Sequence, residues 1–298
     1  MSGQPTAGNR QHTEKMETRD TALEQRLSHA LDGLRLGKPC YAFKELTSTM
    51  DVAHQFASQD ASEGTCVWAE KQLAGRGRAG RVWSSAPGGI YLSVILRPSR
   101  QVSELPQLSL VAGLAVAEAI QELTSLPAVI RWPNDVLFNG KKLAGILTEA
   151  STQHIPASLS HLPGRAAHST QQYAVAGIGI NVTTDPQDLP DEATTLQEVS
   201  DTFSRTKSVR HFERLELAPA LFRHLEWVYQ QWDREGFPAI RPAFLARLSL
   251  LGSLVHIRTP QEIFEGQAMD VDEEGRLLVR LESGVVRTFE VGEVTLLR

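Results

Sequence analysis

The run Gly75-Arg76-Gly77-Arg78-Ala79-Gly80-Arg81 interleaves glycine with arginine between two apolar stretches, and it constrains this chain more than any other feature. Glycines let a backbone turn its N–H groups toward one point and approach a ligand closely, while arginines supply permanently charged, forked donors. No Asp or Glu occurs between Glu70 and Glu104, so the positive field is locally uncompensated although the whole chain carries a formal charge of −5. Apolar runs on either side, Thr65 to Lys71 and Ile90 to Leu96, read as strands, so the loop is held on a sheet. It reads as a clamp for a phosphate or carboxylate.

The rest of the composition narrows the class. With 298 residues, 41% hydrophobic and 22% charged, the chain has enough material for one large core and a smaller module. The first forty residues hold no apolar run of signal-peptide length, and no segment approaches the roughly 20 apolar residues that cross a bilayer, so a cytoplasmic protein without membrane attachment is expected. The two cysteines, Cys40 and Cys66, fit a reducing compartment. Net acidity argues against attraction of the whole surface to nucleic acid.

The chain divides into a disordered or short-helix N-terminal extension (1–37), a catalytic domain (38–250) and a C-terminal β domain (251–298). Residues 1–19 are polar without an apolar period. Leu23, Leu27, Leu31 and Leu34 then recur at helical spacing. One helix is too little for a helix-turn-helix reader, which takes about three. Cys40 to Leu46 reads as a strand and Met50 to Ala57 as a helix capped by Thr47-Ser48-Thr49. Leu105 to Leu126 reads as a long buried helix and Ala128 to Trp132 as a short strand.

Val136 to Phe138 and Leu143 to Glu149 flank Asn139-Gly140, a tight-hairpin signal that puts Lys142 at the start of the returning strand. Ser151 to Gln172 has no clear period and reads as a loop; Pro156 and Pro163 break any single helical face through its His154, His161 and His168, which argues against zinc. Tyr173 to Val182 reads as a strand, and Phe212 to Trp232 and Pro242 to Leu250 as helices. Leu254 to Arg258, Ile263 to Val271, Leu277 to Leu281 and Val285 to Val291 alternate with glycine turns, the pattern of a small β-barrel.

Three segments taken together, GRGRAGRVWSSAPGGIYLS, RWPNDVLFNGKKLAGIL and GIGINV, resemble biotin protein ligases, in the family's order and over about Cys40 to Arg298. The resemblance implies an α+β fold, a mixed β-sheet with packed helices followed by an SH3-like C-terminal domain. It implies an ATP-dependent, AMP-forming ligase that makes biotinyl-5′-AMP and transfers biotin to a lysine of a biotin carboxyl carrier protein domain of a biotin-dependent carboxylase. With only one helix before Cys40, the monofunctional type without a DNA-binding domain is expected; a homodimer is left open. Lipoate or octanoate ligases and transferases of the same superfamily are the alternative, and a non-catalytic nucleotide- or nucleic-acid-binding module is a third reading.

The chemistry brings two anions together, a carboxylate and the α-phosphate of ATP, so the site must supply fixed cations. By resemblance Lys142 is the principal catalytic residue, with Arg78. Ser48, Thr49, Gln72, Gly75, Arg76, Gly77, Trp83, Lys142 and Gly145 border biotin. Arg78, Arg81, Trp83, Asn134, Asp135 and Asn181 face ATP or the adenylate, and Asp135 is the candidate Mg2+ ligand. Met50, Thr47 and Leu73 depart from residues frequent in the family at those positions. Each residue also has a plainer reading: Ser48 and Thr49 as helix caps, Gly177 and Gly179 as packing relief, Asn134-Asp135 as a turn, Trp132 as a core anchor.

Overall fold

Apolar residues on both faces of the central strands require a layer on each side, and the chain supplies them unequally. A computed structural model describes residues 18–154, 170–203, 212–259, 261–290 and 292–296. Strands β1 (Cys40–Phe43), β2 (Cys66–Ala69), β3 (Ile90–Leu96), β4 (Val129–Arg131), β5 (Asp135–Phe138), β6 (Lys141–His154) and β7 (Thr170–Ile180) form one seven-stranded sheet in the order β1-β2-β3-β7-β6-β5-β4. β1 and β2 are parallel, and the remaining neighbours are antiparallel.

One face carries Trp68, Leu92, Val94, Ile146, Ala176 and Ile178 into a large core with α1 (Thr21–Ala30), α3 (Leu108–Thr124), α5 (Arg214–Glu235) and α6 (Phe237–Arg247). The other face is covered at one end by α2 (Thr49–Ser58), which packs Met50, Ala53 and Ala57 on Val67, Ile95 and Val175. The remainder of that second face has no helix over it among the described residues. That is where the arginine loop lies.

The second sheet runs β11-β10-β9-β8-β12, from β8 (Leu254–Arg258), β9 (Ile263–Val271), β10 (Leu277–Leu281), β11 (Val286–Phe289) and β12 (Glu293–Leu296), all antiparallel. Trp132 fastens it to the main sheet: the ring is buried and its Nε1 donates to the Gly275 carbonyl at 3.0 Å. Gln107 Nε2 donates to the neighbouring Glu274 carbonyl at 3.1 Å. Trp132 is thus the core anchor of its plainer reading.

The short helix of the N-terminal extension, residues 21–30, packs into the main core, where Leu23, Leu27 and Leu31 are buried. Several expectations are corrected. β6 and β7 run into the span expected to be a loop, reaching His154 and starting again at Thr170. Residues 155–169, with His161 and His168, lie outside the described residues, as do residues 1–17 and Val291. A 3-10 turn containing Pro106 precedes α3, which begins at Leu108. α6 begins at Phe237 and passes through Pro242, because burial of Phe237, Ile240 and Phe244 outweighs the lost hydrogen bond. α4 (Leu196–Phe203) and β12 were not anticipated, although Thr195 and Glu198 carry the spacing of a capping box and Glu198 N donates to Thr195 Oγ1 at 3.0 Å.

Cys40 and Cys66 sit opposite one another on β1 and β2 as free thiols, and burial pushes the Cys66 thiol up, which keeps it protonated and inert. No helix among the described residues is long and apolar enough to cross a membrane.

If α1 belongs to the main core, Leu27→Ala creates a cavity there and lowers the unfolding free energy by about 2–5 kcal/mol. Urea denaturation of the purified variant measures the change; an unaltered midpoint contradicts this placement.

Candidate active site

Lys142 reaches the open face of the sheet through an irregularity in β6. Leu137 pairs with Lys142 and Val136 with Ala144, so Leu143 is an extra residue bulged out of the β5–β6 ladder. Side chains alternate along a strand, and the inserted residue resets the alternation so that Lys142 faces the same way as Gly145. A Cβ built on Gly145 would lie 3.1 Å from Lys142 Cε, which confirms the shared face. The turn behind it, Asn139 (φ 47°) and Gly140 (φ 79°), has both central residues left-handed, as the tight hairpin requires. The Lys142 backbone is held on its other side as well: its N–H donates to Glu192 O at 2.8 Å and its carbonyl accepts from Thr194 N at 2.9 Å.

The Lys142 ammonium lies 2.6 Å from Asp135 Oδ1, and Arg131 donates to the other oxygen, Asp135 Oδ2, also at 2.6 Å. Asp135 therefore serves two cations. The described residues contain no group of three or more acidic, His or Cys side chains that could hold a resident ion by themselves, and a Mg2+ held largely by nucleotide phosphates needs only one or two carboxylates.

The floor of the cleft is glycine. Gly145 and Gly179 are direct partners across β6 and β7, and Trp83 lies flat on both: a Cβ on Gly145 would meet its ring at 2.7 Å and one on Gly179 at 2.5 Å. Only glycine leaves room for an indole at that distance. The Lys142 ammonium stands 5.2 Å from the centroid of the same ring, within cation–π range. Trp83 Nε1 is buried and makes no protein hydrogen bond.

The arginine loop folds as a small hairpin over this floor. Trp83 N donates to Gly75 O at 2.9 Å and Gly77 N to Arg81 O at 2.7 Å, with a 3-10 turn over Arg78–Gly80 at the tip. Arg78 donates to Asn134 Oδ1 at 2.9 Å and to Gly292 O, in the C-terminal domain, at 3.4 Å. Asn134 in turn donates from Nδ2 to Ile146 O at 3.1 Å. Both ends of its buried amide are engaged, so it braces Arg78 against the sheet. Arg81 Nε donates to Arg78 O at 3.4 Å, and Arg76, Arg78 and Arg81 all line the cleft.

The polar end of the cleft is a chain of side chains. Ser93 Oγ donates to Thr49 Oγ1 at 2.8 Å; Thr49 donates from N (2.8 Å) and Oγ1 (3.1 Å) to Gln72 Oε1; and Gln72 Nε2 donates to Ser85 Oγ at 2.8 Å. Ser48 occupies the N-cap of α2 but makes no capping bond, and its buried Oγ has no protein partner. Its expected capping role is corrected by that geometry. Asn181 Nδ2 donates to Thr194 O at 3.2 Å, and the atom left without a protein partner is Oδ1. An acceptor suits a hydroxyl or ammonium donor and not a phosphate oxygen.

The structure thus brings Thr49, Gln72, Arg76, Gly77, Arg78, Arg81, Trp83, Asn134, Lys142, Gly145 and Asn181 to one cleft. Gly75 packs against Ser85 and the Trp83 carbonyl, Ser48 adjoins the cleft-lining Thr49 with a buried hydroxyl that has no protein partner, and Asp135 pairs with Lys142. Sequence reasoning missed Ser85, Ser93, Glu149 and the Leu189–Ala193 segment that flanks Lys142. Glu149 was within reach, since it lies two and four residues beyond Leu147 and Gly145 on the same strand face; nothing in the local sequence marks 189–193.

A helix-backed mixed sheet with a glycine-floored, cation-lined cleft and an appended antiparallel domain describes a catalytic core suited to anionic substrates. Residues 42–160 match the Biotin/lipoate A/B protein ligase family, and residues 250–297 match the Biotin protein ligase C terminal domain. The chain is 35% identical over 245 residues to the bifunctional ligase/repressor BirA of Bacillus subtilis, covering 82% of this chain and 70% of that protein. It is 34% identical to the biotin–[acetyl-CoA-carboxylase] ligase of Mycobacterium tuberculosis, covering 85% and 86% respectively. The biotin protein ligase of Aquifex aeolicus, solved with biotin and ATP, superposes with a TM-score of 0.69 at 29% identity over 88% of this chain and 99% of that one. The chain belongs to the biotin protein ligase family.

The packing of Trp83 on the glycine floor has a direct test. Gly179→Ala forces the indole off the sheet, so the Nε1–H resonance of Trp83, assigned by its loss in Trp83→Phe, shifts in the Gly179→Ala spectrum. An unmoved resonance contradicts the contact.

Proposed function

We propose that this protein is a biotin–protein ligase of the cytoplasm, activating biotin with ATP to biotinyl-5′-AMP and passing the biotinyl group to a lysine of a biotin carboxyl carrier protein domain. The observation that carries the reading is the convergence of the Lys142 ammonium, the Gly145–Gly179 floor, Arg78 and Arg81 on one cleft. In the first step a carboxylate oxygen of biotin attacks the α-phosphorus of ATP, and the bond to the β-phosphate oxygen breaks to release pyrophosphate. In the second, the carrier amine attacks the acyl carbon, the bond to AMP breaks, and the amine loses a proton.

Lys142 is the group whose position suits the first step. Its backbone is fixed on both sides and its charge is kept in place by Asp135, so it meets the reacting oxygens with little reorganisation as charge gathers there. Arg78 and Arg81 add charge on the nucleotide side. The buried Ser48 hydroxyl and the Thr49–Gln72 chain supply donors and acceptors for the ureido ring, and Trp83 supplies an apolar wall. Magnesium would enter with ATP as part of the substrate. The buried acceptor of Asn181 suits a ribose hydroxyl.

Lys142→Ala is expected to lower adenylation by at least about a hundredfold, the magnitude of losing one charge-stabilising donor, with thermal unfolding unchanged. Acyl-adenylate formation followed by mass spectrometry checks this; wild-type rates in the variant remove Lys142 from the mechanism, and product from lipoate with none from biotin selects the other branch of the superfamily. Arg78→Ala should weaken ATP binding more than biotin binding in titration calorimetry. The reverse order would exchange the assignments along the loop.

A further inference from the structure

One cluster at the base of the arginine loop takes no part in the chemistry above. Arg76 points out of the loop toward β6, where its guanidinium forms a two-pronged pair with Glu149: Nη1 to Oε1 at 2.8 Å and Nη2 to Oε2 at 3.1 Å. Nη2 also lies 2.9 Å from Asp51 Oδ1, on the first turn of α2. His54, one turn further along α2, approaches Glu149 Oε2 with Nε2 at 3.0 Å and Tyr173 Oη with Nδ1 at 3.3 Å. A carboxylate can only accept, so Nε2 carries the proton and the imidazole holds Glu149 in the rotamer that presents both oxygens to Arg76.

Fork-to-fork pairing fixes orientation as well as distance, which a single ammonium contact would not do. The loop is thereby tied at one end to β6 and α2 through Arg76 and at the other to Asn134 through Arg78. These ties fix the first arm of the hairpin, and the second arm, which carries Arg81 and Trp83, is bonded to it through Gly77 N to Arg81 O and Trp83 N to Gly75 O. Arg76 is spoken for by two acids, which is more than a direct anion ligand needs and what a strut needs.

We infer that Glu149, assisted by Asp51, is a positioning residue that clamps Arg76 and so holds the arginine loop closed over the cleft. The consequence for catalysis rests on the reading of the cleft as the biotin and adenylate site; the clamp itself does not. The pair is part-exposed, with Glu149 at 33% and Arg76 at 38% side-chain exposure, so its loss shifts the loop equilibrium moderately and does not unfold the protein.

Trypsin cuts after arginine, so the loop reports its own opening. In Glu149→Gln, cleavage after Arg78 and Arg81, identified by mass spectrometry, should accelerate by about fivefold, with the double variant Asp51→Asn/Glu149→Gln faster still. The KM for biotin in adenylation should rise by a similar factor while kcat at saturating biotin changes by less than about twofold, because closure is restored by ligand binding. Adding Glu149→Gln to Arg76→Gln should change little beyond Arg76→Gln alone, since that variant has already lost its contacts with both acids. Wild-type cleavage rates in both Glu149→Gln and the double variant overturn the clamp, as does a raised KM without faster cleavage, which would make Glu149 a ligand contact. Faster cleavage in a protein that forms no biotinyl adenylate in any variant upholds the clamp and defeats the assignment of function instead.

Discussion

A single inserted residue governs the cleft. Were β6 regular, the ammonium of Lys142 would point into the helix-covered core, where an unpaired charge is prohibitively expensive. The bulge at Leu143 turns it to the open face and beside the carboxylate of Asp135. Every other feature of the site is arranged around that point. Gly145 clears the space next to it, the 192–194 segment holds its backbone from the side where β7 has ended, and Trp83 roofs it.

The electrostatics follow from the same geometry. Arg131, Lys142 and the loop arginines gather near one cleft, and the cluster is tolerable because Asp135, Glu149 and Asp51 are interleaved among them. The acids do not neutralise the cleft uniformly. They sit behind the cations, fixing where each charge points, which is the arrangement that lets an anionic ligand be met by prepared donors.

How much of this was legible in the sequence depended on whether the determinant was local. The Asn139-Gly140 hairpin, β3, β8, β9 and β10 announce themselves through turn chemistry and apolar runs, and the loop announces its charge. The bulge does not, since no residue type in KKLAG demands it and it arises from pairing with β5 on one side and the 192–194 segment on the other. The partners of Asn134 and Arg76 lie 56 and 73 residues away and leave no local trace, whereas Asp135 meets Arg131 and Lys142 close by in sequence, the latter only because the bulge brings it round. The helix through Pro242 shows the same limit, since burial decided it where local propensity pointed elsewhere, whereas α4 carries its own capping signal in Thr195 and Glu198.

The C-terminal sheet touches the site by a thin thread, the carbonyl of Gly292 receiving Arg78, while Trp132 and Gln107 rivet it to the strands and helix beneath. The small domain is therefore a keel for the loop as well as a neighbour of it. The rim of the cleft is thus shared between the two sheets, with one guanidinium bonded to Asn134 on one side and to the Gly292 carbonyl on the other.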